Sequence, residues 1–197
     1  MCRFFESIKL KDGEFYRLKL HQERVNKAFK VCYPDEESIL IFEYLNQFAR
    51  PQDGIYKCRI VYDSDFISLD IVPYVRREIK SIRLVDTDLE SYAYKLEDRT
   101  GFNEAFAKRG ECDDVLLVKN GLLTDSSYSN IALYDGTNWF TPRIPLLYGV
   151  NRTELLASGK LIEKDISATE LKNYKQIALF NAMIEFGELV LPVDKIF

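Results

Sequence analysis

The sequence predicts an α+β protein built as two lobes, a small α/β lobe followed by a larger lobe richer in antiparallel strands. Three observations carry that expectation. Short apolar runs are separated by the turn pairs Asp12-Gly13, Asn120-Gly121 and Asp135-Gly136, the chemistry of hairpins. In the first fifty residues these runs alternate with segments whose apolar residues recur at helical spacing. The stretch from Tyr74 to Arg99 then turns charged, with Arg76, Arg77, Glu78, Lys80 and Arg83. It reads as a crossover between a lobe of residues 1–75 and one of residues 76–197.

Taken in order, Arg3 to Leu10 alternates as a strand, Lys11-Asp12-Gly13 supplies a turn, and Phe15 to Leu18 reads as the return strand. From about Leu20, Val25, Ala28, Phe29 and Cys32 define the apolar face of a helix that Pro34 ends. A second helix is expected from about Asp35, with Ile39, Leu40, Phe42, Leu45 and Phe48 as its apolar set. Ile55 to Tyr62 and Phe66 to Pro73 read as strands around Asp63-Ser64-Asp65, and Ile82 to Val85 as one short strand within the crossover. Phe102 to Arg109 reads as a helix and Val115 to Val118 as a buried strand. Ile131 to Tyr134 and Trp139-Phe140 flank the Asp135-Gly136 turn. A helix from about Asn151 to near Gly159 precedes two closing strands, Ile177 to Phe180 and Leu189 to Val193.

Composition narrows the functional classes. With 197 residues, 47% hydrophobic and 13% aromatic, the chain can bury a real core, which excludes a disordered protein. Its 27 Lys and Arg are outnumbered by 31 Asp and Glu, so the basic surface that a nucleic-acid partner demands is not expected. No apolar run reaches the roughly 20 residues that cross a bilayer, and MCRFFESIKLKDG has no signal-peptide core, so neither a membrane nor export is expected. Cys2, Cys32, Cys58 and Cys112 are far apart and share one histidine, His21. Reduced thiols in a cytoplasmic protein, with no metal site, are the expectation.

Few residues stand out as chemistry. His21 falls at a helix start, where a polar helix-start role is expected rather than a nucleophile's base, and no G-x-S-x-G, G-x-G-x-x-G or Walker pattern occurs. Lys95 lies between aromatics and a charge cluster in Tyr92-Ala93-Tyr94-Lys95-Leu96-Glu97-Asp98-Arg99. A partly desolvated lysine beside a cation loses its proton more easily and attacks carbonyls.

The order of the remaining motifs is more specific. Asp113-Asp114, the buried strand to Val118, Asn120-Gly121 and the run Leu123-Thr124-Asp125-Ser126-Ser127-Tyr128-Ser129-Asn130 come first. Thr141-Pro142, Leu147-Tyr148-Gly149-Val150-Asn151-Arg152, Phe180-Asn181-Ala182-Met183 and Leu191-Pro192-Val193 follow. With Leu20-His21-Gln22-Glu23-Arg24 upstream, this series resembles the fold-type IV pyridoxal-phosphate enzymes, the class IV aminotransferase family. The family includes branched-chain and D-amino acid aminotransferases and aminodeoxychorismate lyases, and the resemblance runs over nearly the whole chain.

The resemblance implies a two-lobed fold like that of D-amino acid aminotransferase, with a barrel-like C-terminal lobe, pyridoxal 5′-phosphate as cofactor, a small-molecule amine or amino acid substrate, and a homodimer. It implies that Lys95 carries the cofactor as a Schiff base, and that Arg99 completes the K-x-x-x-R form of the lyase branch. It further implies that Asp125 faces the ring nitrogen, that Arg24 and the helix-start amides of Val150 and Asn151 hold the phosphate, and that Asn181 and Ala182 form the other phosphate-side loop. The chain departs from the family in three ways. Asp125 stands for the usual glutamate. Asn151 and Ala182 each stand for a threonine. Phe4-Phe5-Glu6-Ser7 matches the family's F-E-T almost at the first residue, so the opening strand and the D-R-G…Y-G-D-G segment lack counterparts.

Three functions follow as expectations. The first is a lyase of the aminodeoxychorismate type, releasing pyruvate to give 4-aminobenzoate. The second is an aminotransferase for branched-chain or D-amino acids. The third is a non-catalytic binding protein that retains the fold. The Asn-Ala-Met and K-x-x-x-R signals favour the first.

Overall fold

Phe4, Glu6, Ile8 and Leu10 alternate along the first strand, β1 (Phe4–Lys11), and so share one face. The three apolar members of that face pack with Val25, Ala28 and Phe29 of helix α1 (Leu18–Cys32) in the core of the first compact unit. The structure, a computed structural model, describes residues 2–90 and 92–197. The first unit comprises Met1–Arg76 and Tyr94–Asp98, and the second comprises Arg77–Ala93 and Arg99–Phe197.

In the first unit, β1, β2 (Glu14–Phe15), β3 (Ile55–Tyr62) and β4 (Phe66–Pro73) form an antiparallel sheet in the order β2-β1-β3-β4. Asp12 and Gly13 both take positive φ, 50° and 80°, so the Lys11↔Glu14 pair closes a tight hairpin as the turn chemistry requires. The return strand stops at Phe15 rather than Leu18, because Arg17 turns left-handed (φ 54°) and starts α1 at Leu18, two residues earlier than expected. The other correction is α2, which spans only Ile41–Leu45. Its buried residues are Ile41 and Leu45, while Leu40, Phe42 and Phe48 are exposed. Gln22 on α1 explains the short element: its side chain accepts from the Ile41 amide and donates to the Ile39 carbonyl, both at 2.8 Å. The chain entering α2 is thereby satisfied without further helical turns.

Residues 94–98 return to this sheet. Phe4 bridges Leu96, the Phe5 amide donates to the Lys95 carbonyl at 3.1 Å, and the Glu97 amide donates to the Arg3 carbonyl at 2.8 Å. Lys95 itself sits at φ 54°, a conformation that a lysine adopts only where its surroundings hold it.

The second unit holds β5 (Ile82–Asp86), α3 (Thr100–Ala107), β6 (Asp114–Lys119), β7 (Leu122–Ser126), β8 (Asn130–Tyr134), β9 (Trp139–Pro142), α4 (Val150–Ala157), β10 (Ile162–Lys164), β11 (Gln176–Phe180) and β12 (Val190–Pro192). Pairing follows β10-β9-β8-β7-β6-β5, with β11 on β8 and β12 on β11. Two crossovers, β5-α3-β6 and β9-α4-β10, make parallel pairs, and the remaining pairs are antiparallel. Among the described residues no pairing joins β5 to β10, so the strands of this α+β lobe do not close into a barrel. Val115 to Leu117, Ile131 to Leu133 and Ile177 to Phe180 are fully buried and form its centre. Asn120 and Gly121, at φ 52° and 76°, form the β6–β7 hairpin turn. The four cysteines are free thiols, and no helix among the described residues is long and apolar enough to cross a membrane.

Candidate active site

In the first unit the face alternation of β1 dictates the chemistry. Glu6 shares the core face with Phe4, Ile8 and Leu10, so it is fully buried, and a buried carboxylate needs partners. They come from the first turns of α1, whose buried stripe runs His21, Arg24, Val25, Ala28. Arg24 donates from Nε to Glu6 Oε1 at 2.7 Å and from Nη2 to Oε2 at 2.5 Å, a bidentate pair. His21 Nδ1 lies 2.6 Å from the same Oε2. Burial pushes the Glu6 pKa upward, but the charges and hydrogen bonds of Arg24 and His21 outweigh it and hold the group at about 2. Burial also lowers the His21 pKa, against the pull of Glu6 and with help from the positive charges of Arg24 and Lys95.

His21 thus lies in the first turn of α1, as expected of a helix-start histidine, but it is a core residue, and its Nε2 is buried with no hydrogen-bond partner. The alternation at Phe4, Glu6, Ile8 and Leu10 carried the missed signal, since it already put a charge on a core face. Lys95 is half-buried in the same unit, its Nζ 4.5 Å from the centroid of the Phe5 ring.

In the second unit the cluster is built on the turn between β7 and β8. Asp125, 3% exposed, pairs with Asn130 across the turn. Its Oδ1 accepts from Asn130 Nδ2 at 2.7 Å, and its Oδ2 accepts from the Leu146 and Leu147 amides at 2.5 and 3.1 Å. Burial raises its pKa to about 6, opposed by these three bonds and by the charge of Arg152. Asn130 Nδ2 also donates to the Leu147 carbonyl at 2.7 Å, and a Cβ placed on Gly149 would run into Asn130 Oδ1. Asn130 and Gly149, present in the sequence motifs but given no role there, thus join the buried acid to the start of α4.

Gly149 caps α4 without any side-chain hydrogen bond, and Val150 and Asn151 open the helix. Asn151 is buried, and its Nδ2 donates to the carbonyls of Asn181 and Ile184 at 2.9 and 3.1 Å, while its Oδ1 finds no partner. Asn181 in turn accepts the Met183 and Ile184 amides on Oδ1 and donates to Tyr128 O and Ser129 Oγ. Asn151 and Asn181 therefore tie the α4 start, the 181–184 turn that carries half-buried Ala182, and the 126–129 turn into one hydrogen-bonded cluster.

Arg99 stands at the edge of this cluster. Its Nη2 donates to the Ser127 carbonyl at 2.5 Å, and its guanidinium lies 4.7 and 4.9 Å from the Phe102 and Tyr128 ring centroids. Arg152, 2% exposed, donates to Pro142 O and to Glu163. The structure thus gathers Asp125, Val150, Asn151, Asn181, Ala182 and Arg99 in the second unit, and Arg24 and Lys95 in the first.

Comparison with known proteins adds to this geometry. The family profile described as Amino-transferase class IV matches residues 102–196. An uncharacterized protein of Haemophilus influenzae is 32% identical over 186 residues, covering 93% of this chain and 98% of its own length. A crystal structure of a protein of Haemophilus somnus 129PT, provisionally named a 4-amino-4-deoxychorismate lyase, superposes with a TM-score of 0.84 at 30% identity, covering 94% of this chain and 98% of that one. A protein of Schizosaccharomyces pombe, provisionally named an aminodeoxychorismate lyase, is 26% identical over 211 residues, covering 94% of this chain and 89% of its own.

Proposed function

Because the chain belongs to the class IV aminotransferase family, we propose that it binds pyridoxal 5′-phosphate and acts as a lyase of the aminodeoxychorismate type. The reading starts from the second-unit cluster, in which Asn130 couples a buried acid to an uncapped helix start. The residues fit the cofactor on two counts. Asp125 is a buried acceptor with three of its roughly four lone-pair positions taken, which leaves room for a ring N–H. The α4 start presents backbone amides with no side-chain cap, the arrangement that favours an anion.

The chemistry supplied by the bound cofactor is an aldehyde that condenses with amines and a ring that accepts an electron pair from the substrate carbon. The chain's residues supply the rest. Lys95 is assigned the amine that holds the aldehyde and, when released, moves protons as base and acid. Asp125 is assigned the ring nitrogen: a cation placed against it offsets the burial that otherwise raises its pKa and keeps it ionised. Arg24 and the amides of Val150 and Asn151 are assigned the phosphate. Asn181 and Ala182 form the neighbouring turn, with Asn181 holding it in place. Arg99 is assigned to steadying the 126–129 turn next to Asp125.

Support for the lyase over transamination comes from the 30% identical relative and from Asn181-Ala182-Met183 and Lys95-x-x-x-Arg99. The experiment is to incubate purified protein with pyridoxal phosphate and either aminodeoxychorismate or L- and D-amino acids with 2-oxoglutarate. The proposal predicts pyruvate and 4-aminobenzoate in the first mixture. A keto acid in the second, with none of those products in the first, favours the aminotransferase. No product in either favours a binding protein that kept the fold. A homodimer is proposed alongside, to be checked by light scattering.

A further inference from the structure

Glu6, His21 and Arg24 form a fully or nearly fully buried polar group in an otherwise apolar core, and as scaffolding it is a poor choice. Apolar side chains of similar volume commonly replace such buried ionic groups at no loss of stability or with a gain. His21 sharpens the point, because its Nε2 is buried with no partner, an arrangement that costs stability. The feature that the cluster does secure is the orientation of one guanidinium. Glu6 takes the Nε–Nη2 edge of Arg24 through both its oxygens, and His21 Nδ1 holds the same carboxylate at Oε2. A guanidinium is a rigid planar fork, so fixing one edge fixes the direction of the other donors.

We propose that Glu6 and His21 are positioning residues that orient Arg24 toward a phosphate monoester dianion. The inference rests on the reading of Arg24 as a phosphate ligand and adds what holds it ready. Glu6 remains ionised through the ordinary pH range, so the clamp on Arg24 is permanent. With Glu6 ionised, the His21 nitrogen facing it is the protonated one, and His21 acts as a neutral donor. Holding the long arginine side chain in advance removes the rotamer entropy that binding would otherwise cost. A pair of ligands differing only in the phosphate then reads this effect.

The test is calorimetric titration of the apo protein with pyridoxal phosphate and, separately, with pyridoxal, in wild type, Glu6→Gln, His21→Leu and His21→Asn. Wild type is expected to prefer the phosphorylated ligand. Glu6→Gln is expected to weaken pyridoxal phosphate binding about tenfold or more while leaving pyridoxal within about twofold. His21→Leu shifts the same ratio less, and His21→Asn, which keeps a donor near the Nδ1 position, restores it. In an Arg24→Ala background Glu6→Gln has no further effect on the ratio. Melting by circular dichroism reports whether each variant is folded, and if Glu6→Gln is not, the two His21 variants carry the test. An unchanged ratio in folded Glu6→Gln, or in His21→Leu, overturns the inference while leaving Arg24 as a phosphate ligand. No preference for the phosphorylated ligand in wild type overturns that reading as well.

Discussion

Asn130 and Asp125 face each other across the β7–β8 turn, joined by a 2.7 Å bond from Nδ2 to Oδ1. Because the same Nδ2 reaches the Leu147 carbonyl, one carboxamide sets both the buried acid and the loop whose amides hold that acid's second oxygen. Removing it in Asn130→Ala leaves a buried carboxylate oxygen and a part-buried carbonyl short of a donor. The expected cost is about 1–3 kcal/mol in urea unfolding of the apo protein. A change below about 0.5 kcal/mol would mean that the network is decorative.

Asp125 makes a prediction with a definite sign. Its folded pKa is raised from 3.8 to about 6, so its contribution to stability is present in full below its unfolded pKa and is lost as pH rises through about 6. Asp125→Asn abolishes that loss. The unfolding free energy of the apo variant minus that of the wild type should therefore grow more positive by about 2.5 kcal/mol between pH 4 and pH 7.5. Unfolding at four pH values across that range checks it, and a flat or falling difference contradicts the burial argument.

Gly149 sits at φ −69° and ψ 145°, a conformation open to any residue, so its requirement is steric. Gly149→Ala drives a methyl into Asn130 and should cost about 1–3 kcal/mol. The same substitution in an Asn130→Ala background should cost markedly less, a coupling that a double-mutant cycle measures. Additive costs would show that the clash is not with Asn130.

Asn151 stands where the family carries threonine, so Asn151→Thr looks like a repair. The structure predicts damage. Threonine cannot reach the Asn181 and Ile184 carbonyls that Asn151 holds, so the part-buried Asn181 carbonyl loses this donor and the Ile184 carbonyl keeps only the Asn181 amide. The variant should melt lower by several degrees and bind pyridoxal phosphate more weakly. An equal or higher melting temperature with tighter binding would show that the asparagine is a mere departure.

Much of this architecture was legible in the residues. The strands Ile55–Tyr62 and Phe66–Pro73 stand where alternation and the Asp63-Ser64-Asp65 turn put them, and Asn120-Gly121 adopts the positive φ values that its hairpin needs. Local chemistry decides such elements. Where a distant partner decides, the sequence is silent: α2 shrinks to five residues because Gln22, nineteen positions before Ile41, satisfies the chain ahead of it. The strand β10 escaped notice because its three residues are exposed and are specified by pairing with β9. The candidate site divides in the same way. Asp125 and Asn151 were visible as types in a motif, but their bonds to residues 146–147 and 181–184 arise only from the fold. Glu6 and His21, fifteen residues apart, became partners only when strand and helix faces met.

The central claim is that the amine of Lys95 carries the cofactor. Borohydride reduction of the protein loaded with pyridoxal phosphate, followed by peptide mapping, addresses it most directly. The account predicts one pyridoxyl-labelled peptide, containing Lys95, with no label in Lys95→Ala. Label on a different lysine, or no label in the loaded wild type, contradicts it.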